Sequence, residues 1–115
     1  MLVIAALMAL QQNLAPAEQR IVRQVEAEAR QAIELLAKNV DINSGTLNRA
    51  GVKRVAEHLI PEFNKLGFTT RYEALPDNMQ RGGHLIAERR GSRGKRLLLI
   101  GHLDTVFEEE SPFQR

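Results

Sequence analysis

The chain has 115 residues, the length of one small domain, and its 43% apolar and 26% charged residues are the composition of an ordinary soluble globular protein. Its 16 basic and 14 acidic side chains leave a net charge of +2, too balanced to require a polyanionic partner, and 4% aromatic residues offer few stacking surfaces for single-stranded nucleic acid. The absence of cysteine excludes disulfides, thiolate zinc sites and cysteine nucleophiles.

The N-terminus carries a short apolar run, Leu2 to Leu10, which cannot cross a bilayer as a helix because that needs about 20 residues. Ala15-Pro16-Ala17 follows, a small-x-small pattern of the kind that signal peptidases cut. The sequence thus predicts a signal peptide over residues 1–17 and a periplasmic or secreted protein. Since no basic residue precedes the run, a buried helix start or a mis-assigned start codon is the alternative, and the protein would then be cytoplasmic.

Two amphipathic helices are predicted next. Apolar residues recur at spacings of three and four over residues 17–38 and again over residues 52–66. Pro16 suits the first turn of the first helix, and Gly67 supplies a stop for the second.

The segment between the helices, VDINSGTLN at residues 40–48, is rich in Asn, Asp, Ser and Gly and is predicted to be a loop. Ser44 or Thr46 could cap the second helix. Pro61 predicts a kink or an early break in that helix, because proline removes a hydrogen bond and clashes with the preceding turn.

The remaining chain is predicted to form strands at residues 68–74, 84–88 and 95–101, separated by a Pro- and Gly-containing loop and a turn. The centre of the third strand, Leu97-Leu98-Leu99-Ile100, is apolar on both faces, which is typical of a central strand covered by helices. The predicted fold class is α/β, with two helices followed by strands.

The third predicted strand leads directly into Gly101-His102-Leu103-Asp104, and in open α/β sheets ligands bind at the carboxyl ends of strands. Gly101 is expected to let the backbone leave the strand without crowding the site. In extended chain His102 and Asp104 point to the same side. A neutral imidazole binds zinc through one nitrogen while its other N–H is oriented by a carboxylate, so the pair predicts a zinc ligand and its partner. The alternative is a strand-end histidine and aspartate that bond nearby backbone.

Other candidate residues favour structural interpretations. Glu108, Glu109 and Glu110 precede Ser-Pro and are predicted to form a solvated loop; His84 is predicted at a sheet edge or surface, and His58 exposed on the second helix. Five basic side chains are predicted to keep a hairpin turn soluble, since no interleaved aromatics or nucleic-acid motif accompanies them. They are Arg89, Arg90, Arg93, Lys95 and Arg96.

The segment LLLIGHLDTVF, with SPF at residues 111–113, resembles the first metal-ligand motif of the zinc peptidase family that includes glutamate carboxypeptidase, aminoacylase, peptidase T and succinyl-diaminopimelate desuccinylase. It is most similar to the glutamate carboxypeptidase-like branch. Three upstream segments agree with that family in order: VDINSGTLNRAGV, LGF and GGHLIAER. The resemblance covers residues 17–115.

This resemblance implies that His102 is a zinc ligand and that Asp104 is the catalytic-site aspartate that orients it. Residues 18–115 would be the N-terminal portion of a mixed-sheet, phosphorylase/hydrolase-like zinc-peptidase catalytic domain. The complete enzyme would hold two zinc ions and hydrolyse amide bonds near a free carboxylate in peptides or N-acyl amino acids. A homodimer is one assembly expected of it, with no nucleic-acid partner and no membrane span.

The family's later metal ligands and its catalytic Glu-Glu pair cannot be assigned to residues of this sequence. We therefore expect an N-terminal fragment of a metallopeptidase that is inactive by itself. The alternative is a non-catalytic α/β partner-binding module in which His102 and Asp104 are structural.

Overall fold

The computed structural model describes residues 14–112. In chain order its elements are α1 (Pro16–Val40), α2 (Arg49–Lys65), β1 (Thr69–Glu73), a short 3-10 helix (Asp77–Met79) and β2 (His84–Glu88). The architecture is thus α/β, with both helices ahead of the strands, as predicted. The chain divides into two compact units, Met1–Ala37 and Lys38–Arg115. The apolar run of the predicted signal peptide lies outside the described residues, as does Phe113.

Helix α1 begins where Pro16 predicts. The backbone N–H of Ala15, just before the helix, donates to the carboxylate of Glu18 at 2.7 Å, and that of Gln19 donates to the carbonyl of Ala15 at 3.0 Å, the first hydrogen bond of the helical ladder. None of the residues of α1 is buried. The predicted helix is confirmed, and its apolar stripe is exposed at Ile21, Val25, Ile33 and Leu36.

Helix α2 is capped by Asn48, whose Oδ1 accepts a hydrogen bond from the backbone N–H of Gly51 at 2.9 Å. The prediction that Ser44 or Thr46 caps this helix is wrong. Both residues lie too far ahead of Arg49 to reach the free amides of its first turn, and both contact another segment of the chain.

The end of α2 forms a Schellman motif around Gly67, which has a φ of 79°. The N–H of Gly67 donates to Asn64 at 2.9 Å, that of Phe68 donates to Phe63 at 3.1 Å, and the Phe63 and Phe68 rings meet edge to face at 5.7 Å. The predicted stop at Gly67 is confirmed. The predicted early break at Pro61 is wrong, because α2 continues to Lys65. The contacts around Gly67 hold the last turn of the helix in place.

The two strands pair antiparallel, with Thr69 opposite Glu88 and Glu73 opposite His84. Helix α2 packs against both strands. Its buried side chains include Val52, Val55 and Ala56, which form the small core. Two of the three predicted strands are therefore confirmed to within a residue at each end.

The third predicted strand, residues 95–101, is wrong: this segment has no regular secondary structure, and the side chains of Leu97 to Ile100 are 79–87% exposed. A strand needs a neighbour for its backbone N–H and C=O groups. Within residues 14–112, β1 and β2 pair with each other and neither pairs with this segment. The turn before it is a bend at residues 92–94 and closes no hairpin.

Within residues 14–112, no helix has both the length and the apolar character needed to cross a membrane.

Candidate functional site

The side chains of His102 and Asp104 are in contact, although the chain between them bends at Leu103 and is not the predicted extended strand. Nδ1 of His102 lies 2.9 Å from Oδ1 of Asp104. The imidazole is 88% exposed, whereas the carboxylate is 30% exposed. The Nδ1 nitrogen is therefore engaged, and Nε2 is the ring nitrogen left for a further ligand.

The second oxygen of Asp104 is also engaged. Oδ2 accepts a hydrogen bond from the hydroxyl of Thr46 at 2.8 Å, and the same hydroxyl lies 3.1 Å from the carbonyl oxygen of Thr105. The hydrogen bond from His102 and then that from Thr46 lower the pKa of Asp104. Both bonds favour the charged carboxylate, so Asp104 is ionised at neutral pH.

Thr46 reaches Asp104 because its loop docks on the chain that follows His102. The N–H of Thr105 donates to the carbonyl of Ser44 at 2.8 Å, and Gly45 and Thr105 form an isolated parallel bridge. Ser44 is buried by this docking. The loop thus contributes backbone and side-chain contacts to the histidine segment, where sequence reasoning assigned it a capping role only.

Glu108 and Asn43 make further hydrogen bonds between this loop and the segment that follows His102. Its carboxylate accepts from the N–H of Leu47 at 3.1 and 3.3 Å, while the side-chain amide of Asn43 donates to the carbonyls of Phe107 and Glu108 at 3.2 Å each. A Cβ at Gly45 would lie 2.6 Å from the Cα of Glu108, so only glycine allows this approach.

The prediction of a solvated acidic loop is wrong for Glu108, which is half-buried, and holds for the exposed Glu109 and Glu110. No local pattern marks Glu108, since its partner Leu47 is 61 residues away in the chain. The pairing of Thr46 with Asp104 likewise has no local sequence signal, because the two residues are 58 positions apart.

The other histidines do not join this site. His84 is exposed at the start of β2, as predicted. His58 is half-buried with its Nε2 enclosed and without a hydrogen-bond partner among the described residues, so its predicted exposure is wrong. It lies three residues after the buried Val55 and so shares that face of α2. A Cβ at Gly101 would have nothing within 4 Å, so the expected relief of crowding there is wrong.

The basic side chains after β2 are exposed to solvent. They are Arg89, Arg90, Arg93, Lys95 and Arg96. The hairpin turn that they were predicted to keep soluble does not form, because the bend at residues 92–94 is followed by a segment with no strand.

The described residues fit one ligand of a metal site. His102 offers an exposed ring with Nδ1 held by a carboxylate, the arrangement that orients a zinc-binding imidazole. Within residues 14–112, no three His, Cys, Asp or Glu side chains converge in a way that could hold a metal ion. A catalytic zinc takes about three protein ligands, so the described residues by themselves do not form a complete catalytic zinc site.

The sequence is 36% identical over 76 residues to carboxypeptidase G2 of Pseudomonas sp. (strain RS-16), and the alignment covers 65% of this chain and 18% of that protein. The chain is distantly related to a carboxypeptidase. It spans less than a fifth of that relative's length. No protein-family model matches the sequence, and no solved structure matches it. The relation therefore points to no particular subfamily.

Proposed function

We propose that this chain forms the N-terminal portion of the catalytic domain of a zinc-dependent metallopeptidase of the glutamate carboxypeptidase-like branch. In this proposal His102 is a zinc ligand and Asp104 is the residue that orients it. The observation that carries the proposal is the 2.9 Å contact between Nδ1 of His102 and Oδ1 of Asp104, made by a ring that is 88% exposed. The distant relation to a carboxypeptidase supports it.

The chemistry that these residues supply is ligand orientation. An ionised Asp104 accepts the Nδ1–H of His102, which selects the tautomer with a free lone pair on Nε2. In the family that the sequence resembles, bound zinc polarises the attacking water and the scissile carbonyl. The proposed substrates are peptides or N-acyl amino acids cleaved near a free carboxylate, by an enzyme with two zinc ions and a homodimeric assembly. With one candidate ligand among the described residues, the 115-residue chain by itself is proposed to turn over no substrate.

A zinc titration tests this proposal when it is monitored through the side-chain ¹⁵N resonances of the three histidines. We expect zinc to perturb Nε2 of His102 first, with the low affinity of a site that has one protein ligand. His102→Ala should abolish this response, whereas His84→Gln, which removes another exposed imidazole, should leave it intact. Equal responses at His84 and His102, or none at His102, would contradict the assignment.

We also propose that residues 1–17 are a signal peptide, cleaved after Ala17, and that the mature protein is periplasmic or secreted. The composition of the apolar run and the Ala15-Pro16-Ala17 pattern support this proposal. Mass spectrometry of the protein recovered from its native host is expected to find Glu18 as the first residue. An intact N-terminus on a protein confined to the cytoplasm would contradict it.

A second candidate function is a non-catalytic partner-binding module, favoured by the exposed apolar side chains of Leu97 to Ile100. The zinc titration separates the two candidates. A module in which His102 and Asp104 are structural should respond to zinc no differently after His102→Ala.

A further inference from the structure

Thr46 holds a carboxylate that in turn holds a histidine. Its hydroxyl lies 2.8 Å from Oδ2 of Asp104, and Oδ1 of the same carboxylate lies 2.9 Å from Nδ1 of His102. We propose that Thr46 is a positioning residue for the metal-ligand histidine, acting through Asp104. This inference rests on the proposed function, and it adds a residue from a loop that precedes the site by more than 50 positions.

The carboxylate needs this second contact because an aspartate held at one oxygen can still rotate. Its terminal torsion is broad and roughly two-fold, so a single hydrogen bond does not fix the plane of the group. A donor on Oδ2 fixes that plane and leaves Oδ1 directed at the imidazole. The Nδ1–H tautomer of His102 is then favoured, and Nε2 keeps its lone pair for a metal.

The backbone on both sides of Thr46 is held in place by hydrogen bonds. On one side, Ser44 accepts the N–H of Thr105 at 2.8 Å. On the other, the N–H of Leu47 donates to the carboxylate of Glu108. Because the loop is fastened on either side of Thr46, the hydroxyl is presented to Asp104 by a fixed backbone.

The test compares Thr46→Val, which removes the hydroxyl at nearly constant shape, with Thr46→Ser, which keeps it. The matched control is Thr70→Val, since the Thr70 hydroxyl donates to the side chain of Asn64 at 3.0 Å on another part of the chain. The first readout needs no metal: the side-chain ¹⁵N shifts of His102, recorded under alkaline conditions where imidazoles are neutral, report the ratio of the two tautomers. The second readout is the zinc affinity at His102.

Thr46→Val is expected to shift the His102 population away from the Nδ1–H tautomer and to weaken zinc binding about 10-fold or more, the size of effect seen when partners of metal ligands are lost. Thr46→Ser and Thr70→Val should keep both wild-type values. Should Thr46→Val also loosen the loop, Thr46→Ser decides, because a tautomer shift in that variant as large as in Thr46→Val would overturn the proposal.

The two readouts keep this inference separate from the zinc proposal. A tautomer shift in Thr46→Val, with no zinc response at His102 in the wild-type chain, would support the positioning role and refute the zinc function. Zinc binding at His102 that is equal in the wild type and Thr46→Val, with an unchanged tautomer ratio, would overturn the role of Thr46 and leave the zinc proposal standing.

Discussion

The hydroxyl of Thr46 and the carboxylate of Asp104 are joined at 2.8 Å across 58 positions of the chain. This bond links a loop between two helices to the histidine segment near the end of the sequence. It also completes the engagement of both oxygens of Asp104, since His102 occupies the other. The candidate site is therefore built from two distant segments, and its geometry depends on their docking.

Asp104→Asn should weaken zinc binding at His102 by about 10- to 100-fold, because the neutral amide favours the Nδ1–H imidazole less strongly than the carboxylate does. The affinity can be measured by the histidine ¹⁵N titration. Asp77→Asn is the matched control, since Asp77 is an exposed carboxylate that pairs with Arg49 and not with His102. Equal affinities in the wild type and Asp104→Asn would contradict the role of this carboxylate.

The carboxylate of Asp104 should titrate below its ordinary pKa of 3.8, because the hydrogen bonds from His102 and Thr46 both stabilise its charged form. A pKa lowered by folding means that this contribution to stability is present above the ordinary value and is lost as the pH falls through the folded-state pKa. Carboxyl ¹³C shifts against pH measure the midpoint. Thr46→Val should raise it and Thr70→Val should not; a wild-type midpoint at or above the ordinary value would refute this expectation.

Gly45→Ala should loosen the docked loop, because its Cβ would lie 2.6 Å from the Cα of Glu108. Overpacking of this kind costs about 1 to 3 kcal/mol. Hydrogen exchange at the amide of Thr105, which donates to Ser44, should accelerate accordingly. Gly101→Ala is the control, since a Cβ there has nothing within 4 Å, and comparable exchange in the two variants would count against the docking contact.

Val55→Ala should lower the free energy of unfolding by about 2 kcal/mol, because it removes two buried methyl groups from the small core beneath the strands. Val25→Ala makes the same chemical change on α1, where the side chain is 64% exposed, and should alter stability by no more than about 0.5 kcal/mol. Urea denaturation of both variants measures the difference. Similar losses would show that Val55 does not carry core packing.

The wild-type chain should associate as its concentration rises, because Leu97 to Ile100 expose four consecutive apolar side chains. Replacing Leu97 and Leu99 by lysine should suppress this association, because charged side chains on an exposed apolar segment oppose its pairing with another chain. Sedimentation velocity provides the measurement. Leu66→Lys is the control, since it removes a single exposed leucine at the end of α2 and should leave association unchanged.

Local patterns predicted much of the fold correctly. Both helices, the stop at Gly67 and the strands 69–73 and 84–88 follow from periodicity, glycine and β-branched residues that act within a few positions. The third strand failed because four apolar residues specify a strand only where a neighbour supplies hydrogen bonds, and none of the described residues does so for Leu97 to Ile100.

By itself the sequence determined that His102 and Asp104 lie two residues apart, which keeps their side chains within reach of each other. The extended chain from which the contact was predicted is absent, because Leu103 lies in a bend. Only the tertiary structure decided what surrounds that pair. Thr46 and Glu108 have no local signal for their roles, since each acts across about 60 residues of chain. Such contacts arise from the docking of two loops, a long-range event that neither propensity nor periodicity encodes.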